Sequence, residues 1–299
     1  MTFRPMRANE AGSLDSVILP VFGSVKLDGI RCLIVEDFPM SRELKPIPNA
    51  SVCSVLSGKG YEYFDGELVV EGELDKSFNL TTSGVMSRDG NPNFVFWVFD
   101  TFDPEWKDKP YRDRYEYLKS RFNTDTNLKF NPRVKLLPQF IITDLEELKN
   151  FEEACVSFGH EGMMVRNPNG KYKFGQSTLK EGWLLKVKRF RDTEGTIIGF
   201  EEQTKNLNET KVSNLGYKSR STSKAGKVGA GTMGKMFLSG VKEFPDQVIV
   251  LGTGFTAKER QDFWDNQNLY LGVQVKFKYQ EVGTMDKPRF LSYLGIRKD

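Results

Sequence analysis

Lys26-Leu27-Asp28-Gly29-Ile30-Arg31 breaks an otherwise apolar stretch that runs from Ile18 to Val35. The flanks read as two strands, and Asp28-Gly29 supplies a dipeptide suited to the turn between them. Lys26 is therefore expected at the end of a strand. An ordinary hairpin with charged flanks would satisfy the same residues, so the hexapeptide needs its surroundings to be interpreted.

Further strands are predicted at Tyr63 to Val70, Phe94 to Phe99, Gly162 to Arg166 and Trp183 to Lys188, all short and rich in aromatic and β-branched residues. Thr143 followed by Glu146 has the spacing of a capping box. Leu145, Leu148, Phe151, Cys155 and Phe158 then fall on one helical face, which Gly159 terminates. From Arg189 to Gly195 the text is charged. Beyond it come strands near Thr196 to Phe200, Gln247 to Leu251 and Leu271 to Tyr279, with a helix opened by Thr256 and Glu259. This second segment has the size and element content of a small Greek-key barrel such as the OB-fold. Between its strands, Lys205 to Lys235 holds seven basic residues against one acidic, Glu209, with Gly and Ser throughout, and is expected to form a mobile basic loop.

The 299 residues suffice for two domains that each bury a core, and 38% hydrophobic with 28% charged residues is a globular composition. Cys32, Cys53 and Cys155 fit neither a disulfide framework nor a four-cysteine zinc site, and are expected as thiols in a reducing cytoplasm. Met1 to Glu10 holds no apolar core of a signal peptide, and the longest apolar run, Phe94 to Phe99, is too short to span a bilayer. The expectation is a soluble intracellular protein. A net charge of +3 leaves partners open. The single histidine, His160, excludes mechanisms that need a histidine pair or a multi-histidine metal site, so lysines and carboxylates must carry any chemistry.

Trp183-Leu184-Leu185-Lys186-Val187-Lys188 alternates so that Lys186 and Lys188 project to one face, about 7 Å apart, a spacing suited to a polyphosphate. Other charged steps precede it in order: Ser41-Arg42, Phe64-Asp65-Gly66-Glu67-Leu68, the aromatic strand Phe96 to Asp100, and Glu161-Gly162-Met163-Met164-Val165-Arg166. With Lys26-x-Asp28-Gly29-x-Arg31 at their head, these resemble the ordered motifs of the covalent nucleotidyltransferases, which comprise DNA ligases, RNA ligases and messenger RNA capping enzymes. The Gly66-Glu67 and Glu161-Gly162 steps resemble DNA ligases in particular. Gly234-Lys235-Met236 and Gly252-Thr253-Gly254-Phe255 are similar to segments of the small two-domain ATP-dependent DNA ligases of phage and bacterial type.

That resemblance implies an α+β fold. A nucleotidyltransferase (ATP-grasp-like ligase) domain of antiparallel sheets with helices, residues 1–189, is followed by an OB-fold β-barrel, residues 190–299. It implies Lys26 as the nucleophile that takes AMP from ATP, passes it to the 5′-phosphate of nicked double-stranded DNA, and so prepares attack by the 3′-hydroxyl. An attacking lysine must be neutral, and Lys186, Lys188, Arg31 and a bound Mg²⁺ (or Mn²⁺) would each disfavour a further positive charge at Lys26. The resemblance assigns Glu67 to the sugar hydroxyls or a metal, and Glu161 to the metal. Arg31 and Arg42 are assigned to phosphates, and Phe99 to stacking on adenine, with Phe96 or Trp97 as alternatives. Ser24 stands where many relatives carry Glu for base recognition, so preference for ATP over GTP would rest on backbone groups. Arg289, Arg297 and Lys298 resemble a last motif that orients pyrophosphate. DNA is expected along the basic loop, through Arg220, Lys224 and Lys227.

A monomer serving DNA replication, repair or recombination in the cytoplasm of a bacterial or phage-infected cell follows from the same likeness. An RNA ligase or GTP-using capping-type enzyme shares the nucleophile motif. A non-catalytic OB-fold protein that binds single strands would share the barrel and its basic loop.

Overall fold

The computed structural model describes residues 3–72, 77–188, 190–212, 218–221, 223–280 and 288–297. The chain divides into two compact units, Met1–Arg189 and Phe190–Asp299. The first carries strands β1 (Asn9–Glu10), β2 (Val21–Val25), β3 (Ile30–Val35), β4 (Phe38–Ser41), β5 (Phe64–Val70), β6 (Phe94–Thr101), β7 (Val134–Leu136), β8 (Phe140–Ile142), β9 (Gly162–Arg166) and β10 (Leu184–Lys188). Its helices are α1 (Ala50–Leu56), α2 (Ser77–Val85), α3 (Tyr111–Thr124), α4 (Thr126–Lys129) and α5 (Leu145–Ser157).

These strands form two five-stranded sheets, ordered β1-β10-β9-β2-β8 and β4-β3-β5-β6-β7. Most pairs are antiparallel, but β1 with β10 and β6 with β7 are parallel, so the sheets are mixed. Behind the first sheet, α5 packs Leu148 and Cys155 against Val21, Met163, Val165 and Val187. Behind the second, α1 and α3 cover Cys32, Phe64, Leu68 and Phe96 with Val52, Leu56 and Leu118. Between the sheets, Leu33 of β3 and Leu184 of β10 share a cluster with Met6, Phe102 and Tyr172. Each sheet is thus apolar on its outer face, where helices lie, and apolar at one end of its inner face.

Two expectations change here. The segment from β2 to β3 is no hairpin, because β2 pairs with β8 and β9 while β3 pairs with β4 and β5 in the other sheet. Lys26-Leu27-Asp28-Gly29 is the crossing between sheets. Gly29 serves it by lacking a side chain: a Cβ there would stand 2.2 Å from the Leu68 carbonyl. The cap of α5 is Asp144, not Thr143; its carboxylate accepts from the Glu147 amide, and Glu147 in turn accepts from Thr143. The helix ends one residue before Phe158, which is 72% exposed and leaves the apolar face.

The second unit comprises β11 (Arg191–Asn206), β12 (Thr210–Val212), β13 (Lys218–Arg220), β14 (Lys227–Ser239), β15 (Ile249–Leu251), α6 (Ala257–Asp265), α7 (Gln267–Tyr270), β16 (Gln274–Gln280) and β17 (Arg289–Ile296). Five of its strands form one sheet, β15-β14-β11-β16-β17. The Tyr293 amide donates to the Thr253 carbonyl at 3.0 Å, so the chain after β15 meets β17 and the sheet curls toward a barrel. Thr256 and Glu259 form the expected capping box of α6, and Phe263 of that helix enters a core with Met236, Leu251, Phe277 and Tyr293. The expected mobile loop is instead largely strand. β11 and β14 stay paired out to Asn206 and Lys227, and β12 pairs with β13 beyond them. Backbone ladder bonds hold this extension despite its Gly and Ser content.

Candidate active site

A cavity of about 400 Å³ opens in the first unit between the two sheets. Its lining includes Lys26, Arg31, Arg42, Glu67, Phe99, Lys186 and Lys188, residues that the sequence spreads over more than 160 positions. Strand periodicity explains the convergence. Lys186 of β10 pairs with Met164 of β9, which pairs with Ser24 of β2, so these three form one cross-strand row. One pleat further, Lys188 is opposite Gly162, whose carbonyl accepts from the Lys26 amide at 2.9 Å. Gly162 has φ +146, and a Cβ there would lie 2.2 Å from the Val187 carbonyl. A side chain would therefore push apart the strands that bring Lys26 and Lys188 together.

From the facing sheet, Arg31 of β3 pairs with Glu67 of β5, and Glu67 with Trp97 of β6. The β5–β6 register shifts between Asp65 and Gly66, leaving Phe99 as the extra residue of a bulge. Such an irregularity re-aims a side chain, and Phe99 lines the cavity. Of the two alternatives, Phe96 is fully buried in the core behind the sheet, and neither it nor Trp97 lines the cavity. The Arg31 and Arg166 guanidinium carbons lie 4.8 and 5.1 Å from the Phe99 ring centroid.

Glu161 stands behind the two lysines. One of its carboxylate oxygens accepts from Lys26 and the other from Lys188. A carboxylate that is 8% exposed thus offsets the cations around Lys26. Burial opposes ionisation of Glu161, yet Lys26 and Lys188 hold its carboxyl below the ordinary carboxylate range. Burial lowers the Lys188 ammonium, and Lys26 and Lys186 add to this against the pull of Glu161. Among the described residues no three His, Cys, Asp or Glu side chains converge as a metal cage. Mg²⁺ needs fewer, since one or two carboxylates suffice when phosphate oxygens and waters complete its octahedron. Glu67 lines the cavity, whereas both oxygens of Glu161 are engaged by Lys26 and Lys188.

Glu67 is pushed up to about 7, chiefly by burial, with Arg31 and Lys26 pulling the other way. The folded chain therefore retains a proton that the unfolded chain has lost between pH 4.5 and about 7. Stability falls as pH rises through that window, and the deficit persists above it. Glu67→Gln removes the cost. In urea titrations without nucleotide it should exceed the wild type by about 1–3 kcal/mol at pH 8, with the gain shrinking toward pH 5. A gain equal at both pH values would contradict the assignment.

Two buried ion networks flank the cavity, and no local pattern announces either. Asp65, fully buried, accepts from Arg31 Nε at 2.5 Å and Nη2 at 2.6 Å. Asp100, also fully buried, takes Arg114 Nε at 2.8 Å and Nη2 at 3.0 Å on one side and Arg166 Nη1 at 2.8 Å on the other. Arg7, Ala8, Leu137, Gln176 and Leu184 also line the cavity without having stood out in the sequence. Arg42 is at the exposed side and pairs with Glu43 at 3.1 Å.

The remaining candidates lie in the second unit. Arg220 ends β13, Lys227 opens β14, and Lys224 begins the short 3-10 turn between them. Arg297 donates to Glu194 at 2.7 Å. The Arg289 side chain and Lys298 lie outside the described residues. The described cysteines are free thiols, and no described helix is long and apolar enough to cross a membrane.

Comparison with known proteins agrees with this geometry. An ATP dependent DNA ligase domain model matches residues 5–188, and a DNA ligase OB-like domain model matches residues 224–297. The solved Chlorella virus DNA ligase–adenylate is 35% identical, covers 99% of both chains and superimposes with a TM-score of 0.58. A Lig E DNA ligase, 24% identical over 99% of this chain and 100% of its own, superimposes with a TM-score of 0.71 and speaks for the fold alone. Curated DNA ligases of African swine fever virus and Thermococcus fumicolans are 25% and 23% identical over 148 and 217 residues. These matches span 35% and 38% of the relatives, so the chain covers about a third of the length of the curated proteins that it resembles. The first domain model alone takes in more than half of the chain and the whole set of strands around the cavity, and on that ground the chain belongs to the ATP-dependent DNA ligase family.

Proposed function

We propose that this chain seals 5′-phosphate/3′-hydroxyl nicks in duplex DNA through a covalent lysyl-AMP intermediate, with Lys26 as nucleophile. The observation that carries the reading is the placement of Lys26 at a strand end, in a cavity that also presents Lys186, Lys188, Arg31 and Phe99. Phe99 offers a ring to adenine. Lys186 and Lys188 face the phosphates as point charges, and Arg31 and Arg42 present planar forks to phosphate oxygens.

Lys26 attacks the α-phosphorus, the N–P bond forms as the bond to pyrophosphate breaks, and the lysine proton leaves. Glu161, hydrogen-bonded to Lys26, is placed to receive that proton or to exchange it with solvent. The adenylyl group then passes to the DNA 5′-phosphate, and attack by the 3′-hydroxyl expels AMP. A divalent metal held by Glu161, with Glu67 as a second donor, would neutralise charge on the phosphate oxygens. Glu67 otherwise accepts from the ribose hydroxyls.

Arg220, Lys224 and Lys227 bind DNA phosphates at the far end of the second unit's extension, a reading supported by the exposure of all three within eight residues of chain. Free thiols fit a reducing compartment, where the chain acts as a monomer. The test is sealing of a singly nicked duplex with ATP and Mg²⁺, compared with GTP and with a nick in RNA. Sealing of the DNA nick with ATP is the expected result. Preference for the RNA nick or for GTP transfers the chain to the neighbouring reaction class, and no sealing of any nick refutes the reading.

A further inference from the structure

We propose that Tyr172 is a positioning residue for Arg31, acting through Asp65 and the Met6 peptide. The proposal rests on the reading of Arg31 as a phosphate-binding group. A guanidinium carries five N–H donors in one plane. Asp65 takes Nε–H and one Nη2–H, and the Met6 carbonyl takes Nη2 at 3.2 Å. Among the described residues no acceptor meets Nη1, and Arg31 lines the cavity. Nη1 is therefore the edge presented to an anionic ligand.

What fixes that edge is Asp65, and what fixes Asp65 is Tyr172. The phenol hydroxyl donates to Asp65 Oδ2 at 2.7 Å and accepts from the Met6 amide at 3.3 Å. Arg31, Asp65, Tyr172 and both polar groups of Met6 thus form a closed ring of hydrogen bonds. Tyr172 and Met6 are 4% and 1% exposed, so water does not replace a missing member. The ring also ties in residues close to the chain's start. The Arg7 amide donates to Gly175 and its carbonyl accepts from Ser177, which stitches Met6 beside the loop that carries Tyr172. Burial beside Asp65 pushes the Tyr172 hydroxyl well above the ordinary phenol range, so it stays a donor.

Tyr172→Phe keeps the ring among Phe102, Phe174 and Leu184 but removes the hydroxyl. Asp65 then holds Arg31 with one fewer support, and the Met6 amide loses its acceptor. In single turnovers, the step that Arg31→Lys slows should also slow in Tyr172→Phe, by roughly tenfold. The decisive reading is the double variant. If Tyr172 acts through Arg31, Arg31→Lys/Tyr172→Phe is no slower than Arg31→Lys alone, whereas a general structural effect multiplies.

Asp65→Asn, which changes the charge and one atom, takes the same place in a second cycle and is expected to be equally non-multiplicative. Lysine adenylylation, transfer to a phosphorylated nick and closure of a pre-adenylated nick are measured separately, which distinguishes the phosphates of ATP from those of DNA as the ligand of Arg31. Wild-type rates in Tyr172→Phe, or multiplicative effects in both cycles, overturn the positioning role. Wild-type rates in Arg31→Lys overturn the phosphate-binding reading instead, and the proposal falls with it.

Discussion

Lys26→Ala abolishes the covalent adenylyl adduct: intact mass after incubation with ATP and Mg²⁺ should show one adenylyl group on the wild type and none on the variant. Sealing of an ordinary nick with ATP should fall on the order of 10⁴-fold or more, because no neighbouring group replaces a nucleophile attached to a fixed strand end. The expected effect is confined to steps that pass through the lysine. Closure of a nick supplied already adenylated on its 5′-phosphate needs no lysyl intermediate, so the variant should retain a measurable part of it. Folding should survive, since Lys188 remains on Glu161 and compensates its charge. An adduct on the Ala variant would place the nucleophile elsewhere, with Lys186 and Lys188 the nearest alternatives.

Asp100→Ala should produce the largest loss of stability of any single substitution near the cavity. The carboxylate accepts from two guanidinium groups that are themselves almost wholly buried, and from the Thr101 amide at 2.8 Å. Burial alone would raise its carboxyl, but Arg114 and Arg166 hold it below the ordinary range. Removing it leaves Arg114 and Arg166 charged in a place where water cannot solvate them. Such losses cost about 3–5 kcal/mol, against a total of roughly 5–15 kcal/mol for a typical domain. The unfolding free energy from urea titration should drop by that amount, and a change below about 1 kcal/mol would contradict the account. Because Arg166 also lines the cavity and approaches Phe99, nucleotide binding should weaken in any fraction that folds.

The local grammar of the chain was legible where one element decides the outcome by itself. β10 shows its alternation openly, and the capping box at Thr256 and Glu259 needs no partner to be recognised. Legibility failed where a distant partner decides. Asp28-Gly29 has the composition of a hairpin turn, but whether two strands pair is settled by β5 and β9, which lie far along the chain. Helix α3 escaped notice because its buried face, Tyr111, Arg114, Tyr115 and Leu118, includes an arginine that reads as solvent-facing until Asp100 is placed beside it. At α5, Thr143 and Asp144 can both cap, and only the geometry chooses between them.

The candidate site divides in the same way. Of the site residues expected in the first unit, Lys26, Arg31, Arg42, Glu67, Phe99, Lys186 and Lys188 line the cavity, and Glu161 holds Lys26 and Lys188 from outside that lining. Which of Phe96, Trp97 and Phe99 lines the cavity depends on a single bulge, a feature of pairing with β5 that alternation cannot reveal. Tyr172 and Arg7 lie in segments without periodicity, so nothing local set them apart.

The long antiparallel ladder of β11 and β14 has a bearing on how such a chain can diversify. β11 runs for 16 residues, about 50 Å of extended backbone, and only its first half, with Thr193 and Ile197, is anchored in the barrel core. From Glu201 onward the ladder is largely exposed, and its register already absorbs irregularities at Glu202 and Thr204. Residues can be gained or lost at its far end in matched pairs without disturbing a core side chain. The length and charge of this arm can therefore change without cost to the barrel core, which sets its reach apart from the packing that holds the barrel together.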